Sequence, residues 1–134
     1  MITEETKKEL IDTAIQARIK AYAPYSEYKV GAALLSKQGQ CYSGGNIENA
    51  VYPLTICAER VAVFKAVSEG EMEFEAIAVV THNGGSPCGS CRQVLAEFGL
   101  DTLVLIADEQ GKLVNETSVG DLLPDAFSRQ DLAT

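Results

Sequence analysis

The chain of 134 residues has no tryptophan, a single histidine and no long hydrophobic run. Its longest apolar stretches, AIAVV at 76–80 and LVLIA at 103–107, are far shorter than the roughly 20 residues that a membrane-spanning helix needs. The N-terminal residues MITEETKKEL are polar and charged, and they lack the apolar centre of a secretory signal peptide. These absences predict a soluble, cytoplasmic protein without a membrane partner.

Positive charge is also scarce. The chain has 11 Lys and Arg residues against 19 Asp and Glu, which gives a net charge of −8, and no basic tract. Nucleic-acid polymers are bound largely through neutralisation of their phosphates by basic side chains. We therefore expect no polynucleotide partner, and the composition favours a small substrate.

Disorder and low complexity are excluded by the composition. Hydrophobic residues make up 46% of the chain and charged residues 22%, with 11 glycines and 4 prolines, as in ordinary globular proteins. The length suits one domain with its own hydrophobic core, and no internal repeat or linker interrupts it. We expect a single domain over residues 1–134.

Hydrophobic periodicity predicts an α/β fold. A helix is expected over residues 4–22, with Thr3 as its N-cap. The segments YKVGAALLS and QCYSGGNI flank KQGQ and predict a β-hairpin. Helices from about Cys57 and Cys88 then alternate with the strands FEAIAVVT, TLVLIA and GKLVNET, and VGDLLP forms a final short helix. This order predicts parallel crossovers and a mixed sheet with helices on both faces.

The cysteines indicate a metal site. Cys57 in CAER and the pair Cys88 and Cys91 in SPCGSCRQ stand at the expected starts of two helices, where backbone N–H groups and the helix dipole favour thiolates. Cys88 and Cys91 are three residues apart and so face the same way. Three thiolates from two helix starts predict a tetrahedral zinc site with one open position, which is typical of catalytic zinc. The fourth cysteine, Cys41, lies in a strand pattern and is interpreted as a small hydrophobic residue.

Charged residues beside these cysteines suit a reactive metal. Three thiolates on Zn²⁺ leave a net charge of −1, and nearby positive charge restores part of the metal's pull on its water. Arg60 and Arg92 are the candidates for this compensation. Glu59 is a carboxylate near the metal that can carry protons to and from a bound water. His82, in the segment THNGG, is an alternative fourth ligand, although a surface loop histidine is the favoured interpretation.

CAER followed by PCGSCRQ closely resembles the small, homotetrameric cytidine deaminases. The segments AYAPYSEYKVGAALL, GGNIENAVYPLTICAER, KAVSEG and LLPDAFS extend the similarity over nearly the whole chain. Zinc deaminases carry a Cys₃ or His/Cys/Cys site, a non-ligand Glu and a P-C-x-x-C signature. The resemblance implies a three-layer α/β/α fold with a central mixed five-stranded sheet. It also implies hydrolytic deamination of cytidine and 2′-deoxycytidine to the corresponding uridines, as in pyrimidine salvage.

The resemblance assigns roles to the metal-site residues. It implies that Cys57, Cys88 and Cys91 bind one Zn²⁺ per chain and that Glu59 is the general acid/base. In this pattern Glu59 protonates N3 of the pyrimidine and passes a proton to the departing ammonia. Backbone groups near Ala58 are implied to recognise the base.

Further residues match substrate-binding positions of the family. In NIEN, Asn46 and Glu48 match residues that hydrogen-bond the ribose 3′-hydroxyl. Tyr28 stands where the family usually has a Phe that packs on the pyrimidine, and its added hydroxyl needs a partner. Phe127 matches a residue that enters a neighbouring subunit's pocket, and Tyr52 one near subunit boundaries, although core packing is their ordinary interpretation. The resemblance therefore implies a homotetramer with active sites shared between subunits.

Other functions remain open at this point. A blasticidin-S-type nucleoside antibiotic deaminase shares the C-A-E and P-C-x-x-C motifs, although NIEN and CAER favour the nucleoside enzyme. A polynucleotide or tRNA deaminase generally uses His as its first ligand and needs a basic surface. A structural zinc module needs a fourth protein ligand. A thiol-disulfide protein built on CGSC would form a reversible disulfide without metal, and neither of these last two accounts for Glu59.

Overall fold

The computed structural model describes residues 2–133 of the chain. Its helices and strands follow the predicted order, and two short 3₁₀ turns lie at Tyr52–Leu54 and Arg129–Leu132. The elements are α1 (Glu4–Ile19), β1 (Val30–Ser36), β2 (Cys41–Gly45), α2 (Ala58–Ser68), β3 (Phe74–Thr81), α3 (Gly89–Glu97), β4 (Leu103–Ala107), β5 (Leu113–Ser118) and α4 (Val119–Leu122). No helix among residues 2–133 is both long enough and apolar enough to cross a membrane.

The five strands form one mixed sheet in the order β2-β1-β3-β4-β5. β3 pairs with β4 in parallel, and α3 makes the crossover between them. The pairs β1–β2, β1–β3 and β4–β5 are antiparallel. The prediction of a mixed five-stranded sheet is therefore confirmed.

Helices cover both faces of the sheet because successive residues of each strand point to opposite sides. On one face, Leu10, Ile11 and Ala14 of α1 pack against alternate residues of β1, β3 and β4. On the other face, α2 and α3 pack against the strand residues whose side chains point to that side, such as Leu34 and Ile77. The result is the expected three-layer α/β/α arrangement.

Small residues let the layers approach closely. An ideal Cβ built on Gly31 of β1 would lie 2.0 Å from the carbonyl oxygen of Ala14 in α1, so a larger residue at position 31 would push the helix away. On the opposite face, a Cβ at Gly44 of β2 would lie 2.6 Å from a methyl carbon of Val61 in α2. These contacts fix the distance of both helices from the sheet, and α2 carries part of the candidate site at its start.

The first helix is shorter than predicted. Thr3 is its N-cap, as expected, and its side chain accepts a hydrogen bond from the Thr6 N–H. The helix nevertheless ends at Ile19, whereas the hydrophobic spacing predicted continuation to Tyr22. Tyr22 instead forms a bridge with Ile47, because its backbone N–H and carbonyl pair with the strand extension that follows β2. Long-range backbone pairing therefore overrides the local helical pattern.

Candidate metal centre

Three cysteines meet at the starts of α2 and α3. Cys57 and Cys88 are the N-cap residues of the two helices, and both have extended backbones. Cys91 lies in the first turn of α3 and is fully buried. The Cys57 and Cys88 Sγ atoms are 3.9 Å apart, and those of Cys88 and Cys91 are 3.5 Å apart. The three ligand atoms lie within 4.8 Å of one another, so the predicted convergence is confirmed.

This geometry fits zinc. Sulfurs at about 2.3 Å from a tetrahedral zinc ion are about 3.8 Å from each other. The separations of 3.5 Å and 3.9 Å bracket that value, so three sulfurs surround a point where the ion can be held. Thiolates are soft ligands that favour zinc over magnesium or calcium. Within residues 2–133, the cluster comprises three protein ligands, which leaves the fourth position of a tetrahedron to a non-protein group.

The remaining His and Cys residues lie elsewhere. The His82 side chain is 66% exposed, and its Nδ1 is 3.6 Å from Glu109 Oε1, in agreement with the surface loop interpretation. Cys41 begins β2, as the strand pattern predicts, but it is exposed rather than packed in the core. Neither residue belongs to the metal-ligand cluster of the described chain.

The sulfurs differ in their affinity for protons. The pKa of Cys57 is lowered to about 5, chiefly by a hydrogen bond from Cys91 and also by the hydrogen bond and positive charge of Arg60. The same hydrogen bond, together with burial, raises the pKa of Cys91. Without a metal, the negative charge of the cluster is therefore centred on Cys57. A bound dication would displace the proton that Cys91 holds.

Two arginines were predicted to compensate the charge of the sulfur cluster. Within residues 2–133, one of them forms a hydrogen bond to a sulfur of the cluster. Arg60 Nη2 is 3.3 Å from Cys57 Sγ, and this contact raises the pKa of the guanidinium. Arg92 instead donates to the carbonyls of Pro87 and Leu122, at 2.8 and 2.7 Å, and to the Ser86 hydroxyl at 2.9 Å. Arg60 is thus the one placed for direct compensation, and such a role for Arg92 stays a prediction.

Glu59 lies beside the sulfurs and lines a pocket. It is the second residue of α2 and is 4% exposed. Burial raises its pKa, because the charged carboxylate is poorly solvated there. Glu59, Cys57 and Cys88 line one part of a pocket of about 250 Å³. A protonatable carboxyl group and two of the three clustered cysteines therefore line the same small volume.

Asn46 is held rigidly in this pocket. Its side chain is mostly buried, its Oδ1 accepts the N–H of Val30 at 2.8 Å, and its Nδ2 donates to the carbonyl of Tyr28 at 2.9 Å. A side-chain amide has two N–H donors. One donor of Asn46 is therefore used by the protein and the other is available to a ligand.

Glu48 is also fixed in place in the pocket wall. Its Oε1 accepts the N–H groups of Tyr25 and Ser26 at 2.9 and 3.0 Å, and its Oε2 accepts the Ser26 hydroxyl. The hydrogen bonds from Ser26 lower the pKa of Glu48. The side chain therefore presents an ionised, oriented carboxylate to the pocket.

Tyr28 and Ala58 have different positions relative to the pocket. The Tyr28 side chain lines it, and its hydroxyl donates to Asn83 Oδ1 at 2.8 Å, which supplies the partner that the extra hydroxyl needs. Ala58 is the first residue of α2, and its side chain is fully buried in the core beneath the site.

Phe127 and Tyr52 lie on the surface. They are 55% and 69% exposed, so the core-packing interpretation is wrong for both. The Tyr52 ring contacts that of Tyr25, with centroids 5.6 Å apart.

Several pocket residues were not anticipated from the sequence. Ser26, Val30, Thr81, Gly85 and Ser86 all line the pocket. Ser26 belongs to the segment AYAPYSEYKVGAALL, and residues 81–86 directly precede the PCGSC motif. Their closeness to these motifs was the available indication that they lie near the site. Their side-chain partners, however, are set by the tertiary fold.

Comparison with known proteins identifies the family. Residues 4–107 match the cytidine and deoxycytidylate deaminase zinc-binding region. The chain is 54% identical over 126 residues to a cytidine deaminase of Halalkalibacterium halodurans, with 92% of this chain and 95% of the relative covered. It is 34% identical over 131 residues to a blasticidin-S deaminase of Bacillus cereus, covering 90% and 91%.

A solved structure agrees with the sequence comparison. The crystal structure of cytidine deaminase from Burkholderia pseudomallei superposes with a TM-score of 0.85 at 50% identity, covering 94% of this chain and all of that one. The zinc-compatible sulfur cluster lies within the matched zinc-binding region. The chain therefore belongs to the cytidine and deoxycytidylate deaminase family.

Proposed function

We propose that this protein is a zinc-dependent hydrolase that converts cytidine and 2′-deoxycytidine to uridine and 2′-deoxyuridine, with release of ammonia. The observation that carries the proposal is one pocket of about 250 Å³. It is lined by Cys57 and Cys88 of the sulfur cluster, by the buried Glu59, and by the oriented residues Asn46 and Glu48. The identity of 54% to a cytidine deaminase over most of the chain supports the same substrate class.

Glu59 is proposed as the proton carrier of the reaction. The zinc ion, held by Cys57, Cys88 and Cys91, would supply a Lewis acid that activates water for addition to C4 of the base. Burial raises the pKa of Glu59, so its carboxylate binds a proton more readily than an exposed glutamate does, which suits a group that accepts and returns protons. Glu59 takes one proton from the water and delivers it to N3. It then takes the second proton from the hydroxyl group added at C4 and transfers it to the departing amine, so that the C4–N bond breaks as the carbonyl forms. The products are the C4 carbonyl and ammonia.

Asn46 and Glu48 are proposed to bind the sugar. The free N–H of Asn46 Nδ2 is a donor, and the ionised Glu48 oxygens are acceptors for a ribose hydroxyl. Both side chains are already oriented by the protein, so little ordering accompanies binding. The Glu48 carboxylate also disfavours a phosphorylated ligand, since like charges repel. We propose that backbone groups near Ala58 recognise the base and that the Tyr28 ring packs on it.

Arg60 is proposed to offset the negative charge of the sulfur cluster. Its hydrogen bond to Cys57 reduces the electron density donated to the metal and so keeps the metal acidic. We extend this role to Arg92 only as a weaker, indirect contribution, because its donors are engaged by Ser86, Pro87 and Leu122.

We further propose a homotetramer in which each active site receives residues from a neighbouring subunit. The exposed rings of Phe127 and Tyr52 support this assembly, since exposed aromatic side chains are enriched at protein interfaces. Size-exclusion chromatography with light scattering tests it, and a monomer at working concentration would contradict it.

The proposed context is a cytoplasmic pyrimidine salvage enzyme that acts without nucleic-acid polymer or membrane. Its single catalytic domain spans residues 1–134, of which Met1 and Thr134 lie outside the described residues.

The decisive experiment is ammonia release by purified, zinc-loaded protein given cytidine, 2′-deoxycytidine or blasticidin S. Turnover of both nucleosides supports the proposal. No turnover of either nucleoside, in protein confirmed to hold zinc, overturns it. Activity on blasticidin S alone would select the antibiotic deaminase, and inactivity on all three would favour a structural zinc module.

A further inference from the structure

The segment 82–87, called here the 82–87 loop, joins β3 to the metal-binding Cys88 and forms part of the pocket wall. Its end next to Cys88 is fastened by Arg92. This guanidinium donates to the Pro87 carbonyl and the Ser86 hydroxyl, and it also reaches the carbonyl of Leu122. The position of Cys88 is therefore tied to α3 and to the end of α4.

The other end of the 82–87 loop is fastened separately. Asn83 Oδ1 accepts a hydrogen bond of 2.8 Å from the Tyr28 hydroxyl and one of 3.4 Å from Thr81 Oγ1. The Gly85 N–H donates to the same Thr81 hydroxyl at 2.7 Å. The Tyr28 ring lines the pocket, so one side chain contacts both the substrate volume and the loop.

Gly85 makes this contact sterically possible. A Cβ built on Gly85 would lie 2.6 Å from the Tyr28 hydroxyl oxygen, closer than non-bonded atoms approach. The absence of a side chain at position 85 leaves the space in which the hydroxyl reaches Asn83. The ring, the hydroxyl and the loop are therefore mutually fitted.

We propose that the Tyr28–Asn83 hydrogen bond is a latch, that is, a contact that holds the 82–87 loop in place at the pocket. Through its hydroxyl, Tyr28 is then a positioning residue that increases the affinity for the nucleoside. This inference rests on the proposed function for its kinetic consequence. A loop already ordered in the free protein loses less conformational freedom when the substrate binds. Since Arg92 fastens the Cys88 end independently, the latch affects KM and leaves zinc binding and kcat little changed.

The kinetic test starts with Tyr28→Phe, which removes the hydroxyl and keeps the ring. KM for cytidine should rise about two- to fivefold, the lower part of the range for a neutral hydrogen bond, because both partners are partly exposed. Asn83→Leu should have the same effect, and the double variant should be no worse than either single variant. Asn83→Asp retains an acceptor and should restore the lower KM. Tyr22→Phe, an exposed tyrosine outside this pocket, is the matched control.

A second measurement does not need turnover. Amide hydrogen exchange of peptides covering 82–86 should be faster in Tyr28→Phe than in the zinc-loaded wild-type protein, because the loop has lost one fastening. Equal exchange in the two proteins overturns the latch, as does an unchanged KM in Tyr28→Phe or additive effects in the double variant. If the wild-type protein does not deaminate cytidine, the proposed function fails, while the exchange experiment still decides whether the latch exists.

Discussion

Replacing Glu59 by Gln tests the central chemical role in the pocket. Gln has nearly the same shape, and it cannot accept and return a proton as a carboxyl group does. Glu59 is 4% exposed, and burial penalises its charged form, so the neutral amide adds no desolvation cost. We therefore expect the variant to fold with an unchanged or slightly higher melting temperature. Because the metal ligands are three sulfurs, it should still bind one zinc per chain.

The expected loss is in kcat. A positioned general acid or base contributes about 10² to 10⁴ in rate. At about 1.36 kcal/mol per factor of ten, this corresponds to roughly 2.7–5.4 kcal/mol of transition-state stabilisation. Glu59 is proposed to serve at both N3 and the leaving amine, so we expect the upper part of the range. Ammonia release at saturating cytidine, normalised to zinc content measured on the same sample, provides the assay.

Glu69→Gln is the matched control. Glu69 caps the other end of α2 and is exposed, so the same chemical change there should leave both kcat and zinc content at wild-type values. A decrease in kcat of less than about tenfold in Glu59→Gln would refute the proton-carrier role. Loss of zinc from Glu59→Gln with zinc retained in Glu69→Gln would show that Glu59 is itself a metal ligand.

Three further results are expected. Ser26→Ala removes the hydroxyl hydrogen bond that is the largest cause of the lowered pKa of Glu48, while the backbone N–H bond from position 26 remains. The pKa of Glu48 should therefore rise in the variant, and as the pH falls KM for cytidine should begin to increase at a higher pH than in wild type. KM measured between about pH 4 and 7 checks this, and superimposable profiles would contradict it. Removal of zinc by a chelator should lower the melting temperature, and added zinc should restore it, because the ion binds the folded site; an equally stable zinc-free protein would count against that linkage. Leu105→Ala, at a fully buried position facing α1, should lower the free energy of unfolding by about 2–5 kcal/mol in denaturant titrations. The exposed Leu132→Ala should change it by no more than about 0.5 kcal/mol, and equal losses at both sites would contradict the assigned core.

The order of helices and strands could be predicted because it depends on local patterns. Short apolar runs bounded by polar and turn residues indicated β1 and β3, and Thr3 marked the start of α1. The end of α1 could not be predicted in this way. Tyr22 fits the helical spacing, but its backbone pairs with residues that follow β2, and no local pattern contains that information.

The metal site was predictable for a similar reason. Cys57, Glu59 and the C-x-x-C pair lie at two helix starts, so their sequence positions nearly fix their geometry. The sequence did not show which of Arg60 and Arg92 contacts the sulfurs, because the Arg92 side chain is held by a hydrogen bond to the carbonyl of Leu122, 30 residues away. The partner of the Tyr28 hydroxyl, Asn83, is 55 residues away and belongs to a loop without regular spacing.

The strand order also determines when the metal site can form during synthesis. β1 and β2 emerge first and can pair at once, but the other neighbour of β1 is β3, which follows α2. The apolar face of α1 is covered by residues of β3 and β4 as well as β1, so it stays partly uncovered until those strands arrive. Cys57 precedes β3 and Cys91 follows it, so a nascent chain acquires its full ligand set only after its central strand has been made. Zinc therefore binds late in synthesis, after the first turn of α3 has been made. A ribosome-bound fragment that stops before α3 should have no tightly bound metal.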